Sequence, residues 1–394
     1  MLAKMHLHKL LAIHRTQDTQ HFDQGIVTAT LVGARIRALR KKNQLSQDDL
    51  ARLLGFKDRQ TISAIETGVR RVTAEELVQV AEKLGAPLDY FTDPFRLVAE
   101  GRFSWRHEGA DTHQLEEYER RAGRWIAAFR NLAPRVERRT PLLRRTLGLT
   151  RRSSYETAME AGARFAADFE LGSVPATRLA SVMERDLGIL VLMVDARRGI
   201  SGAACRLPEL DVVLIARHEV VGRRSFDLAH ELFHLLTWDT MPPEHLEEAL
   251  ETGGRRVEQL ANNFAGAVLM PTTALDRFGD WRHLSEQELV ARLNAAGDEL
   301  HVTASALMWR LVALRRLTKS AALALPPERL RNNRREFADD VAPALFSKPF
   351  AEVAGLAVDR GHVSMRRMAG VLDLPVEGVM ELFAAHGVPA PVEL

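Results

Sequence analysis

The chain has 394 residues, of which 46% are hydrophobic and 27% charged, and its formal net charge is +2. This composition is typical of a globular protein of two or three domains and excludes a uniformly basic protein. The single cysteine, Cys205, excludes a disulfide within the chain and a cysteine-based zinc cluster, as expected for a reducing compartment.

Residues 1–30 are predicted to be a tail. The opening, MLAKMHLHKLLAIHR, has neither the sustained apolar core nor the small-residue cleavage site of a signal peptide, and Met5 is an alternative start. The sequence has no run of about 18 apolar residues that would span a membrane. We therefore expect a cytoplasmic protein without membrane contact.

Residues 31–92 are predicted to form a compact domain of four short helices. ARIRALRKKN is amphipathic, and Ser46 is placed to cap a helix over QDDLARLLG. The segment RQTISAIETG follows as a third helix, and Thr73 with Glu76 forms a capping box for the fourth. Short helices joined by tight turns, two of them containing glycine, are typical of a helix-turn-helix domain.

The stretch LSQDDLARLLGFKDRQTISAIETG resembles the Cro/repressor-like helix-turn-helix of the xenobiotic-response-element (XRE) type. The resemblance implies that the second helix of the motif lies in the major groove of double-stranded operator DNA. Ile65 and Glu66 would be structural. By position, the implied contacts are Gln47 to a phosphate, Arg59, Gln60 and Ser63 to bases, and Thr61 and Arg70 to the DNA backbone.

Two further points about this domain stay open in the sequence. Domains of this type commonly pair to read two half-sites, so a homodimer is a candidate state. The alternative is a protein-docking or dimerising module that never reads DNA, since residues 31–90 carry 11 basic and 8 acidic residues, only a modest excess.

Residues 93–152 are predicted to be an Arg-rich helical linker with one helix around LEEYERRAGRWIAAFRNL. Between Arg120 and Arg152 there are eleven arginines and one acid, Glu137. A charge run of this kind favours a solvated surface. The alternative is a surface that rests on nucleic-acid phosphate.

Residues 153–320 are predicted to form an α+β domain. Two helices are expected over YETAMEAGARFAADF and ATRLASVMERDLG, and β-type runs follow in ILVLMV and DVVLIA, with SGAACRL as a further strand between them. The helix containing FDLAHELFHLLTW comes next, and helices dominate afterwards.

The HELFH stretch has the spacing of a zinc site. His230 and His234, four residues apart, share one helix face, so both imidazoles can bind one ion. Glu231 lies about 100° around the helix, where it can take a proton from a water molecule without being a ligand. The alternative is an ordinary half-buried helix whose histidines are satisfied by protein partners.

A catalytic zinc site needs a third protein ligand. Glu258 borders the apolar stripe of RRVEQLANNFAGAVLMP, and a carboxylate turned toward a core is costly unless it is paired or bound to metal. Glu258 is therefore the predicted ligand. The other candidates are His245 and the acidic run of Glu247, Glu248 and Glu251.

RRSFDLAHELFHLL followed by EQLANNFAGAVLMP resembles the ImmA/IrrE metallopeptidases. The resemblance covers about 155–320 and implies a zincin-like fold, with His230, His234 and Glu258 holding Zn²⁺, or another divalent metal such as Mn²⁺. It implies that Glu231 is the catalytic base of an endopeptidase that cleaves repressor-type proteins. Asn262 is a candidate outer partner of the metal.

Residues 321–394 are predicted to be a C-terminal helical segment of regulatory or substrate-docking type. The whole chain is thus predicted to be a DNA-binding transcriptional regulator with a zinc-dependent endopeptidase domain. Its substrate would be a repressor-like protein, whether a partner, another copy or itself, in a stress or mobile-element response. The alternative is a transcription factor whose zinc domain senses a ligand without hydrolysis.

Overall fold

The computed structural model describes residues 30–98, 101–107, 112–138, 141–197, 199–243, 254–331 and 342–389. Contacts divide the chain into two compact units, Met1–Glu100 and Gly101–Leu394. The predicted tail lies, apart from Thr30, outside the described residues. Within the described part of the chain, no helix combines the length and apolar character needed to cross a membrane.

The first unit is helical, and its described residues form the four predicted helices and a short fifth. Their bounds are 30–42 for α1, Gln47–Leu53 for α2, Arg59–Glu66 for α3, Ala74–Leu84 for α4 and Leu88–Thr92 for α5. The core of the unit contains the fully buried side chains of Ile36, Leu50, Ile62 and Phe91. Each helix thus turns one apolar face inward, as the sequence pattern predicts.

Caps set where these helices begin. The Ser46 side chain accepts a hydrogen bond from the Asp49 N–H, and the Asp49 carboxylate accepts one from the Ser46 N–H in return. Thr73 and Glu76 make the same reciprocal pair at the start of α4, which confirms the predicted capping box. Local side-chain chemistry therefore fixes the register of the helices around the turn.

The second unit contains a four-stranded sheet and the remaining helices of the described chain. The strands are β1 (Arg102–His107), β2 (Leu190–Val194), β3 (Ile200–Arg206) and β4 (Asp211–Ala216). Three described helices lie between β1 and β2 in the chain: α6 (Thr112–Leu132), α7 (Tyr155–Asp168) and α8 (Ala176–Arg185). The elements that follow β4 are α9 (Val221–Leu236), α10 (Gly254–Leu269), α11 (Thr272–Asp276), α12 (Glu286–Leu300), α13 (Ala304–Ala313), α14 (Lys319–Ala324), a 3₁₀ turn (Pro327–Arg329), α15 (Lys348–Asp359), α16 (Met365–Leu372) and α17 (Val376–Ala385).

The sheet is mixed, with the strand order β1-β3-β4-β2. β2 and β4 are parallel, whereas β3 is antiparallel to both of its neighbours. All residues of β4 are buried, as expected for a central strand covered on both faces. The predicted fold class is confirmed: a helical first unit is followed by a mixed sheet with helices and by a helical C-terminal segment.

Within the stretch 93–152, predicted to be a helical linker, residues 101–152 belong to the second unit and contribute a strand and a helix to it. β1 is an edge strand, and its Trp105 lies opposite Ala203 of β3. In α6, Trp125 is buried and donates a hydrogen bond from Nε1 to the carbonyl of Leu372 at 3.3 Å. Because arginines dominate the composition of this stretch, its sequence does not reveal that α6 has an apolar face. That face packs on α15 and α16.

Helix α9 lies on β3 and β4, and α10 packs between α9 and α7. Gly162 of α7 allows a close approach, since a Cβ at this position would lie 2.5 Å from the carbonyl oxygen of Phe264 in α10. Phe233 of α9 and Phe264 pack with ring centroids 5.5 Å apart in the core between these helices. The sheet and the helix pair together fix α9 relative to α10.

Candidate metal centre and DNA-facing helix

The HELFH stretch lies in the buried second half of α9. His230 is 1% exposed, Glu231 0% and His234 6%, among leucines that are buried as well. Because the two histidines are four residues apart, their rings lie on one side of the helix with centroids 5.0 Å apart. The apolar neighbours hold the helix on the sheet and leave the imidazoles facing α10.

Glu258 of α10 completes a cluster of three ligand atoms. The Nε2 atoms of His230 and His234 are 3.1 Å apart, and they lie 3.0 and 3.4 Å from the two carboxylate oxygens of Glu258. A tetrahedral zinc ion with bonds of 2.0–2.1 Å separates its ligand atoms by about 3.3 Å. The two imidazole nitrogens and one carboxylate oxygen therefore fit the donor set and spacing of a zinc site.

Asn262, one turn after Glu258 on α10, fixes the orientation of one imidazole. Its Oδ1 lies 3.0 Å from Nδ1 of His230, so Nδ1 is the donor and Nε2 carries the lone pair. This arrangement directs the basic nitrogen of His230 toward the cluster. A ligand histidine whose second nitrogen is held by a protein oxygen is usual at zinc sites.

Glu258 is less buried than its position beside the apolar stripe predicts, since its side chain is 50% exposed. Burial acts to raise the pKa of this carboxyl, but when His230 and His234 are protonated and no metal is bound, their hydrogen bonds and charge outweigh it and hold the pKa well below its usual range. One side of the cluster is therefore open to solvent. The alternative ligands, His245, Glu247, Glu248 and Glu251, lie outside the described residues.

Glu231 lies against the backbone of β3 at Gly202. A Cβ at Gly202 would be 3.3 Å from Cγ of Glu231, 3.4 Å from its Oε1 and 3.3 Å from the carbonyl oxygen of Leu214. A larger residue at this position would require Glu231 or the Leu214 carbonyl to shift by a few tenths of an ångström. This role of Gly202 was not predicted, and its one visible signal in the sequence is the GISGA segment ahead of the helix.

His218, between β4 and α9, does not join the cluster. Its Nε2 lies 2.7 Å from Oδ1 of Asp195, and the same oxygen accepts a hydrogen bond from Nε of Arg217 at 2.5 Å. Arg217 and His218 act against burial to lower the pKa of Asp195. These three residues join the ends of β2 and β4 and leave the metal ligands to α9 and α10.

Three of the predicted DNA-contact residues face outward from α3. Arg59 and Gln60 are exposed at its first turn, and Ser63 is half-buried one turn later. Ile62 and Ile65 of the same helix are buried in the core of the unit. The helix therefore presents a polar face at its N-terminal end, which is the end that approaches bases in helix-turn-helix domains.

The other three predicted contacts form hydrogen bonds within the unit. Gln47 donates from Nε2 to Glu66 at 2.9 Å, and Thr61 donates from its N–H and its hydroxyl to Asp58 at 3.1 and 3.2 Å. Arg70 forms two hydrogen bonds to the Glu76 carboxylate, at 2.6 and 3.1 Å. These side chains are positioned by neighbours, in contrast to Arg59 and Gln60.

Four of the eleven arginines in the Arg-rich stretch form ion pairs with described residues. Arg144 binds Asp211, which is 2% exposed, at 2.8 Å and also donates to the carbonyl of Pro208. Further pairs join Arg121 to Asp373 at 3.4 Å, Arg130 to Glu209 at 3.8 Å and Arg145 to Asp168 at 3.5 Å. These partners explain several arginines without a nucleic-acid phosphate.

Two family models match the chain. A helix-turn-helix family (HTH_3) matches residues 36–91, and the IrrE N-terminal-like domain (Peptidase_M78) matches residues 185–305. The second match contains His230, His234 and Glu258. The chain thus combines a helix-turn-helix DNA-binding domain with a metallopeptidase-type domain, which confirms the fusion that the two motifs predicted.

Among solved structures, the apo form of the competence regulator ComR from Streptococcus vestibularis is 9% identical in sequence. The match covers 92% of this chain and 100% of that chain, with a TM-score of 0.16. A score this low supports no argument about fold or function. None of the curated proteins matches the chain.

Proposed function

We propose that the chain is a transcriptional regulator whose second unit is a zinc-dependent endopeptidase that cleaves a repressor-type protein. The observation that supports it most is the convergence of His230, His234 and Glu258 at 3.0–3.4 Å, with Glu231 on the same helix. A purely structural zinc site would be closed by a fourth protein ligand. This cluster has three ligands among the described residues, and the Glu258 side is open to solvent.

The zinc ion would be held by both imidazoles and one carboxylate oxygen. When bound, it supplies a Lewis acid that polarises the peptide carbonyl and makes water a better nucleophile near neutral pH. Glu231 takes the proton from the attacking water and passes it to the leaving amine. Gly202 of β3, which has no side chain, leaves room for the Glu231 side chain beside the sheet.

The DNA-binding unit would bring this peptidase to an operator. Arg59, Gln60 and Ser63 face outward from α3, and arginine and glutamine are suited to bidentate contacts with guanine and adenine. A repressor bound at or near the operator is then a substrate at high local concentration. Another copy of this chain bound at the operator, or the chain itself, would be a substrate at high local concentration for the same reason.

The decisive experiment compares wild type with Glu231→Gln. Both proteins are measured for zinc content, for binding to a DNA fragment selected from a random library, and for cleavage of candidate repressors and of the chain itself. We expect zinc and DNA binding to be unchanged and cleavage to fall by about 10²–10⁴-fold, the usual contribution of a general base. Glu160→Gln, an exposed glutamate of α7, is the matched control and should cleave like wild type.

The outcomes separate two functions. Loss of cleavage in Glu231→Gln alone supports the regulatory peptidase. If wild type binds zinc and DNA but cleaves nothing, including itself, the protein is instead a transcription factor whose zinc domain senses a ligand. A protein without zinc contradicts both.

A further inference from the structure

The face of α10 that carries Glu258 continues beyond the metal cluster. Glu258, Asn262 and Gly266 follow one another at intervals of four residues, so they share this face of the helix. The face is exposed at Glu258 and Asn262 but buried at Gly266. At a rise of about 1.5 Å per residue, Gly266 lies about 6 Å along the axis from Asn262 and about 12 Å from Glu258. A side chain from another helix therefore covers the face a short distance from the cluster.

Arg310 of α13 is the side chain that covers the face at Gly266. A Cβ at Gly266 would lie 3.7 Å from Cδ of Arg310, and Nε of Arg310 donates a hydrogen bond to the carbonyl of Met270 at 3.2 Å. The start of α13 is held against α9, because a Cβ at Gly222 would lie 2.6 Å from the backbone nitrogen of Thr303. The guanidinium is thus positioned where the face that bears the metal ligand becomes buried.

The positive charge of Arg310 has no carboxylate partner among the described residues. The residue is 6% exposed, and its Nη1 atom is buried without a hydrogen-bond partner there. Burial and, to a smaller extent, the charge of Arg316 lower the pKa of Arg310 to about 10, so the guanidinium is still positive at neutral pH. Arg316 itself pairs with Asp276 at 2.6 Å.

The contact with Met270 stabilises the C-terminal end of α10, but it uses only the Nε donor of Arg310. A buried charge without an ion pair, and with a donor left unsatisfied, is costly. Arg310 is therefore suited to an anionic partner that approaches along the exposed part of the face, from the side of Asn262 and Glu258.

We propose that Arg310 binds an acidic side chain of the protein substrate and is a specificity-determining residue of the peptidase. This inference rests on the proposed peptidase function. An extended chain spans about 3.3–3.6 Å per residue, so a side chain about two to four residues from the scissile bond reaches from the metal cluster to Arg310. Because Met270 occupies Nε, the two terminal nitrogens of the guanidinium remain to bind both oxygens of an Asp or Glu carboxylate.

The first test measures binding and requires no known substrate. The probes are monohydroxamates of linear dicarboxylic acids from glutaric to sebacic acid, whose hydroxamate end binds zinc and whose far end is a carboxylate. Each is compared by calorimetry with the primary amide of the same length, on the zinc-loaded full-length protein at pH 7.5. At the lengths that reach Arg310, we expect wild type to bind the acid at least about tenfold more tightly than the amide, because the contact is charge-assisted.

Variants separate a binding role of Arg310 from a structural one. Arg310→Met removes the charge and keeps an unbranched side chain, so the preference for the acid should disappear while the amide binds as in wild type. Arg310→Lys should keep part of the preference. Arg366→Met, which removes an exposed arginine of α16, is the matched control and should keep all of it. A merely structural Arg310 would change the binding of acid and amide by the same factor.

The second test measures cleavage of a random peptide library with blocked, amidated ends, which excludes a free terminal carboxylate as the anion. Wild type should enrich Asp or Glu at one position, about two to four residues from the cleaved bond. The enrichment should be absent in Arg310→Met. Cleavage that requires a free terminal carboxylate would overturn the proposal.

The outcomes distinguish failure of this inference from failure of the proposed function. A wild-type protein that holds zinc and cleaves peptides, but binds acid and amide equally at every length, contradicts the role of Arg310 alone. So does an Arg310→Met variant that keeps the preference. The comparison of acid and amide in wild type requires no variant, so it decides the question even if Arg310→Met does not fold. A protein that binds neither zinc nor any hydroxamate contradicts both proposals.

Discussion

The two units place a glutamate in opposite situations. Glu66 of the first unit is 2% exposed and is held by Arg40 at 2.5 and 3.0 Å and by Gln47 at 2.9 Å. Glu258 of the second unit is 50% exposed, and its described partners are the two imidazoles. The first carboxylate is satisfied by a permanent cation, whereas the second lies among ligand atoms that converge on a point where an ion fits.

This difference shows how to distinguish a structural buried charge from a functional one. A charge whose hydrogen-bonding positions are occupied by the protein's own donors fixes the fold and has little capacity left for a ligand. A group of acceptors that converge without a cation of their own, and that keep one side open, is suited to bind one. Burial alone does not separate the two cases, since Glu66 is far more buried than Glu258.

The largest expected effect tests the structural side of this comparison. Glu66→Gln leaves the Arg40 guanidinium buried beside a neutral amide, so we expect the first unit to lose about 3–5 kcal/mol of its free energy of unfolding. Hydrogen exchange of peptides from α2 and α3 measures this loss, and DNA binding should fall with it. All five tryptophans lie in the second unit, so tryptophan fluorescence should report unchanged unfolding there.

Glu82→Gln is the control for this variant, because Glu82 is exposed on α4. It should exchange like wild type. Equal exchange in Glu66→Gln and Glu82→Gln would contradict the structural role of the Arg40–Glu66 pair.

A smaller effect tests the metal side. Asn262→Ala removes the oxygen that holds Nδ1 of His230, so we expect zinc affinity to fall by about 10–100-fold. Competition with a chelator at pH 7 measures the affinity directly. Asn263→Ala is the matched control, because Asn263 donates to the carbonyl of Gln259 and not to a histidine. Equal affinities in the two variants would show that Asn262 does not position the imidazole.

The smallest effect tests whether an exposed charged side chain of the first unit, without an ion pair among the described residues, also marks a binding surface. Arg59 is exposed, and the described residues offer it no ion pair, whereas Arg52 on α2 pairs with Asp49 at 2.5 Å. Arg59→Ala should weaken binding to a selected DNA fragment at least about fivefold, or roughly 1 kcal/mol, at constant salt. Arg52→Ala should weaken it less. Equal losses would indicate a general charge effect and would count against base reading by α3.

Local patterns predicted the elements that local chemistry determines. Ser46 and Thr73 marked helix starts because a cap needs only the residue itself and a partner three positions away. His230 and His234 could be assigned to one face because four residues are about one helical turn. Within the described residues, the predicted metal ligands do come together, although their occupancy by zinc remains part of the proposal.

The parts that sequence analysis missed depend on long-range contacts. β1 is short and Arg-rich, and it becomes a strand through pairing with β3, about a hundred positions later. The arginines of the supposed linker meet their carboxylates far along the chain, as Arg144 meets Asp211. Glu258 was predicted as a ligand because its position indicated burial, yet its side chain is half exposed. The spacing of apolar residues does not show which side of a helix end is open to solvent.

The close approach of Gly202 to Glu231 also has an evolutionary consequence. A side chain at position 202 would crowd the carboxylate at 3.3–3.4 Å, so selection on the glutamate extends to a glycine on another element. Once a descendant loses the glutamate, two of the three close approaches to a Cβ at position 202 disappear, and the Leu214 carbonyl oxygen at 3.3 Å is the one that remains. Lineages that have lost the glutamate should therefore tolerate a small side chain at position 202 more often than lineages that keep it.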